Sequence, residues 1–183
     1  MIDSLSAPQL GGAQSFGDRP SFLASHRALA VCSRELGRLT TDVVRGAAML
    51  GAAGVEDKSV ERLSPGRCIV QLGPVALTLT WLRSTIDSVA DGDLLVIVWR
   101  GAVAPRAEHL PERMTTRRQP TAATALWEGV FVAAGTDEAS WTWQSKDAGT
   151  GGCSSADLAA QCVERLRAAY EGCRIDGAAP PTH

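Results

Sequence analysis

The sequence predicts an α+β fold: an antiparallel sheet of about five strands, with a long N-terminal helix and a C-terminal helix packed on one of its faces. Three observations predict it. Phe22, Leu29, Leu36, Val43 and Leu50 recur every seven residues, which marks a long amphipathic helix ahead of any strand. From Arg67 to Ser145 the apolar pattern changes to short strand-like runs separated by turn residues. A second helical stripe follows a glycine run near residue 150. Terminal helices around consecutive strands are the order of an α+β domain, and short links between the strands favour a meander.

Residues 1–20 are rich in Gly, Ser, Pro and Gln, too poor in apolar groups to offset the entropy of ordering, and are expected to form a flexible tail. Residues 21–174 then make one domain, and 175–183, which include two prolines, a second tail. In the first helix Cys32, Leu39 and Ala47 join the apolar face, while Arg27, Arg34, Glu35, Arg38, Asp42 and Arg45 fall largely off it. Gly37 and Gly46 each cost about 1 kcal/mol against alanine and mark places for a kink. Gly51 and Gly54 end the helix, and the charged stretch Glu56 to Arg62 reads as a connector with one more helical turn. A sustained seven-residue stripe also suits a coiled-coil partner. Its second column (Ser25, Cys32, Leu39, Gly46) is mixed, however, so packing on the protein's own sheet is the better reading.

Arg67–Leu72, the Gly73-Pro74 turn and Val75–Leu82 read as a hairpin. In its second arm Val75, Leu77, Leu79 and Trp81 alternate with Ala76, Thr78 and Thr80, which puts one face in the core. The run Leu94–Val98 is apolar at both parities and opens on an Asp-Gly turn, as in a central strand covered on both sides. Strand character returns at Leu126–Ala133, and a last strand, Ser140–Ser145, bears Trp141 and Trp143. Ser154-Ser155-Ala156-Asp157 then matches a capping box ahead of a helix whose stripe is Leu158, Cys162, Leu166, Ala169 or Tyr170, and Cys173.

Composition narrows the function classes. A net charge of −2 gives no electrostatic reason to expect nucleic acid or an anionic membrane, and no apolar stretch approaches the ~18 residues of a spanning helix. The N-terminus shows no secretory pattern, so a cytoplasmic protein is expected. Five cysteines without a C-x-x-C pair argue against a disulfide framework and a zinc site, and neither a metal nor a cofactor is expected. The common signatures of nucleotide binding, metalloproteases, serine hydrolases and calcium loops are missing.

Two stretches stand out. Gly149-Thr-Gly-Gly-Cys153 precedes the last helix, whose amide groups and dipole would draw an anion and lower the pKa of the Cys153 thiol. A flexible link with a serine cap explains the same residues. Ala102–Ala125 is a long stretch with Arg106, Arg113, Arg117 and Arg118, where only Glu108 and Glu112 oppose the arginines. It suits a small anion or an acidic protein, although its arginines could equally pair with the acidic C-terminal half of the chain. His26 is read at the edge of the first helix's core stripe.

The leading expectation is a non-enzymatic binding or protein-interaction module for a partner protein or small anionic ligand. The alternative is a small enzyme with a cleft between the sheet and the 102–125 loop, using Cys153 as nucleophile and His109 or a loop arginine as its assistant. A homodimer through the open sheet face is also expected, the alternative being that the 102–125 loop itself folds over that face as its lid. Thr78, Thr80 and Thr142 would border that face. The central strand would line it, with Trp141 and Trp143 and either Trp127 with Phe131 or Val130 with Val132.

Overall fold

A computed structural model describes residues 21–52, 58–64, 66–83, 88–103, 122–147 and 151–177, with side chains described except at 51–52, 58–64 and 175–177. After a 3-10 turn at Phe22–Ala24, helix α1 runs from His26 to Ala52. Seven strands follow: β1 (Lys58–Ser64), β2 (Arg67–Leu72), β3 (Val75–Arg83), β4 (Gly92–Arg100), β5 (Thr124–Ala134), β6 (Thr142–Ser145) and β7 (Gly152–Cys153). Helix α2, Ser155–Gly177, closes the order. Each strand pairs antiparallel with the next, so the sheet is an open meander in chain order. The α+β class, the meander and the helices at both ends of the domain are as the sequence predicts.

The sheet has two strands more than expected. The stretch read as a charged connector with a helical turn is β1, which pairs with β2 from Lys58↔Leu72 to Ser64↔Arg67. Edge strands carry charge along their length, and that hides the two-residue period from a hydropathy reading. The glycine link before α2 contains β7, whose two residues pair with Trp143 and Gln144. Two residues are too few for any period.

Helix α1 runs unbroken through Gly37 and Gly46. Ser25 caps it, its Oγ accepting the Ala28 amide at 3.2 Å. The capping box of α2 forms as read. The Asp157 amide donates to Ser154 Oγ at 3.1 Å, and the Ser154 hydroxyl and amide both donate to Asp157 Oδ2, at 2.7 and 3.3 Å. Gly46, rather than kinking α1, lets the helices touch: a methyl there would lie 2.6 Å from Val163 Cγ2 on α2. His26, read at the edge of the core stripe, is exposed, because the 3-10 turn ends just before it and it opens the helix.

The register assigns every described sheet residue to a face. Toward the helices point Cys68, Val70 and Leu72, then Val75, Leu77 and Leu79, then Leu94, Val96 and Val98, with Phe131, Ala133 and Trp143 further along. They meet Ala28, Val31, Cys32, Leu39 and Val43 of α1 and Leu158, Cys162 and Leu166 of α2 in one core. The expected side of β3 is therefore the covered one. Trp143, 0% exposed, sits edge-on between Trp81 (centroids 5.8 Å apart) and Trp141 (5.7 Å). Trp81 lies directly over Gly92, where a side chain of any size would collide with the indole. These tryptophans correct one expectation. Trp141 and Trp143 share a face, but it is the helix-covered one, where α1 and α2 can bury indoles that an outer face would leave wet.

Candidate functional site

Two places on the inner side could support chemistry, and each is explained by the fold. At the first, three elements meet. The Trp143 indole donates to Ser155 Oγ at 3.0 Å, and the Ser155 hydroxyl donates to Glu35 Oε2 at 2.9 Å. Arg38 reaches Glu35 Oε1 at 3.1 Å and Arg34 the same oxygen at 3.4 Å. Glu35 is 9% exposed, so this chain ties α1, α2 and β6 together with both carboxylate oxygens occupied. Sequence reading placed Glu35 off the helix face. The missed signal is its spacing, three residues after Cys32 and four before Leu39, which puts it on the core side. Nearby, the indole N–H of Trp141 is buried and has no hydrogen-bond partner among the described residues.

Cys153 lies beside this clamp but does not join it. Its thiol is half-buried on β7 and donates to the Trp143 carbonyl at 3.5 Å. Burial, reinforced by the Asp157 carboxylate, pushes the thiol pKa up. That runs against the lowering expected at a helix start, because burial strips solvent from the thiolate and the Asp157 carboxylate, which occupies the capping position, adds to the effect. Among the described residues no histidine hydrogen-bonds to it. The other residues singled out from the sequence, His109, Arg106, Arg113, Arg117 and Arg118, lie outside the described residues. So does most of the 102–125 stretch that would form the cleft of the enzyme reading.

The second place is a half-open cavity of about 430 Å³ between α1 and the end of β3, lined by Leu29, Cys32, Ser33, Leu36, Trp81 and Arg83, among others. Burial pushes the Cys32 thiol up to about 12, with the Arg83 charge opposing the shift, so the sulfur stays protonated and inert at neutral pH. Among the described residues no group of three or more His, Cys, Asp or Glu side chains could hold a metal ion. None of the described helices is long and apolar enough to cross a membrane.

The outer face of the sheet is different in kind. Across β4 and β5 it presents Leu95, Ile97, Trp99, Val130 and Val132, all half-buried, and no described helix lies over them. Of the two pairs considered for β5, Val130 and Val132 are the outward one. Thr78 and Thr80 border the patch on β3, as expected, and Thr142 and Gln144 on β6. The Trp99 indole crosses to β3 and donates to Thr78 Oγ1 at 3.0 Å, which satisfies its polar tip within the face itself. Lys146 pairs with Asp93 at 2.7 Å on the far side of the patch. At the β2–β3 end the Gln71 amide donates to the carbonyls of Gly73, Val75 and Gly101, while its oxygen accepts the Val103 amide, so the chain leaving β4 is pinned across the sheet end. Comparison with known protein families, with curated proteins and with solved structures finds no match for this chain.

Proposed function

We propose that this protein is a non-enzymatic interaction module whose working surface is the outer face of its sheet. The distribution of the described helices carries the reading: both cover the inner face, while on the other Ile69 and Ala76 are buried and five apolar side chains of β4 and β5 stay half-buried. An apolar centre with a polar rim fits a protein surface better than a small anion, which needs converging donors. The patch spans two strands about 4.8 Å apart and some 20 Å long, on the order of 200 Å². A contiguous apolar patch with a polar rim is a usual mark of a contact surface. The simplest occupant is a second copy packed face to face, since a two-fold axis lets one patch cover its own equivalent. The test is Ile97→Lys, a substitution that Glu128, its cross-strand neighbour, can accommodate. Circular dichroism should be unchanged, and light scattering at tens of micromolar should lose the face-to-face species. An unchanged mass would reject self-packing through this face.

A further inference from the structure

Strand β5 is eleven residues long, but its neighbour on the β6 side covers only part of it. Pairing with β6 runs from Phe131↔Ser145 to Ala134↔Thr142, and the Lys146 amide adds one last bond to the Val130 carbonyl at 2.9 Å. Beyond that point, Thr124 to Gly129 have β4 on one side and no described strand on the other. Backbone groups alternate sides along a strand. Because the Val130 carbonyl points away from β4, the N–H and C=O of Glu128 point the same way, into the open edge. Among the described residues, about 20 Å of sheet edge therefore has no partner, at roughly 3.4 Å per residue.

The sheet's other margins are guarded. Strand β1 carries Lys58, Glu61 and Arg62 along its seven residues, and β7 is only two residues long. Charge and shortness are the usual protections of an edge. The open stretch of β5, Thr-Ala-Leu-Trp-Glu-Gly, has one charge, no lysine and no proline, and Leu126 is 43% exposed on it. Its remaining guard is a bulge: Val98 pairs with Trp127 and Trp99 with Ala125, leaving Leu126 as the extra residue. The stretch is also held firm from the inner side, where the Arg165 guanidinium of α2 lies 5.2 Å from the centre of the Trp127 ring.

We infer that the open edge of β5 pairs antiparallel with the same edge of a second copy, making one continuous sheet across a two-fold axis. Unpaired strand backbone specifies another strand as its occupant. Self-pairing is favoured by charge: with the axis at Ala125 or Leu126, Glu128 faces Ala122 or Thr124, both uncharged, and the two copies of Leu126 lie at or beside the axis. Such a pair also sets two outer faces side by side in one surface. The inference does not rest on the face-to-face reading above, and the two are separable by mass.

The experiment uses the full chain in four forms: wild type, Ile97→Lys, Leu126→Lys, and the two together. Leu126→Lys places two like charges beside the axis at a position exposed enough to spare the fold. With edge pairing, Ile97→Lys remains dimeric at tens of micromolar by light scattering, and the double variant is monomeric. The Glu128 amide then exchanges hydrogen at least tenfold more slowly in Ile97→Lys than in the double variant. A monomeric Ile97→Lys, or a Glu128 amide that exchanges equally fast in both, overturns the inference and leaves the face-to-face reading to stand or fall on wild type and Leu126→Lys. Glu128→Pro, which removes the outward N–H and the carboxylate but adds no charge, checks that any loss with Leu126→Lys comes from the edge and not from the added lysine.

Discussion

The two faces of the sheet are cut from the same strands and differ by one residue step. Along β4, Leu94, Val96 and Val98 point in and are buried, while Leu95, Ile97 and Trp99 point out and are half-buried. Apolar composition therefore does not separate a core face from a contact face here. What separates them is how the polar ends are handled. On the inner face the polar tips of Trp143 and Ser155 are satisfied by elements far apart in sequence, through the chain that ends on Glu35. On the outer face Trp99 is satisfied by Thr78 one strand away, within the sheet itself. The inner arrangement exists only when helices and sheet are assembled, whereas the outer one is complete without any covering partner.

The largest expected difference between the faces follows from that contrast. Trp143→Ala should cost about 3–5 kcal/mol of stability in urea unfolding, the range for deleting a buried aromatic. Trp99→Ala, measured under conditions where the protein is monomeric, should cost less than about half of that. Equal losses would mean that the outer face is as much a part of the core as the inner one. Next in size, Glu35→Ala should destabilise by roughly 1–3 kcal/mol, because Ser155 and the Trp143 indole lose a buried acceptor chain. Removing the exposed Glu138, which bridges Arg27 and Arg34 at the surface, should have a far smaller effect.

Much of this contrast was legible in the sequence. The alternation of Val75, Leu77, Leu79 and Trp81 with Thr78 and Thr80 assigned both faces of β3, and the doubly apolar run Leu94–Val98 pointed to the centre of the sheet. The capping box at Ser154 located the start of α2 to the residue. Three things were not legible. Charge on β1 masked its period, two residues of β7 had none to show, and a tryptophan pair fits an inner or an outer face equally well until the register is known. The clamp at Glu35 depends on contacts spanning 120 residues, which helical spacing can suggest but not complete.

The tryptophan pair gives a finer comparison within the inner face. Trp143 and Trp141 pack edge-to-face, but only Trp143 has a partner for its indole N–H among the described residues. Replacing each by Phe removes similar apolar area, so the difference isolates the polar tip. Trp143→Phe should cost about 1 kcal/mol more than Trp141→Phe, the net worth of a typical hydrogen bond. If Trp141→Phe is the more costly, its N–H has a partner outside the described residues.

The smallest effect at neutral pH is confined to alkaline solution, and it too belongs to one face. Burial pushes the thiols of Cys32 and Cys162 from their ordinary value of 9.0 up to about 12. A group whose folded pKa is raised keeps its proton in the native state while the unfolded chain ionises. Its contribution is complete below pH 9 and is lost as the pH rises from about 9 to about 12. Stability of the wild type should therefore fall through that window, beyond what exposed groups produce. Cys162→Ala should lower stability at pH 7 by removing buried volume, yet flatten the alkaline fall, because one of the protected protons is gone. Ile97→Gln, which adds no titrating group, should leave the alkaline limb unchanged, since neither thiol lies on the outer face. A limb that steepens in Ile97→Gln would show that the two faces are coupled in a way the packing does not provide, and one that fails to flatten in Cys162→Ala would show that burial does not hold that thiol's proton.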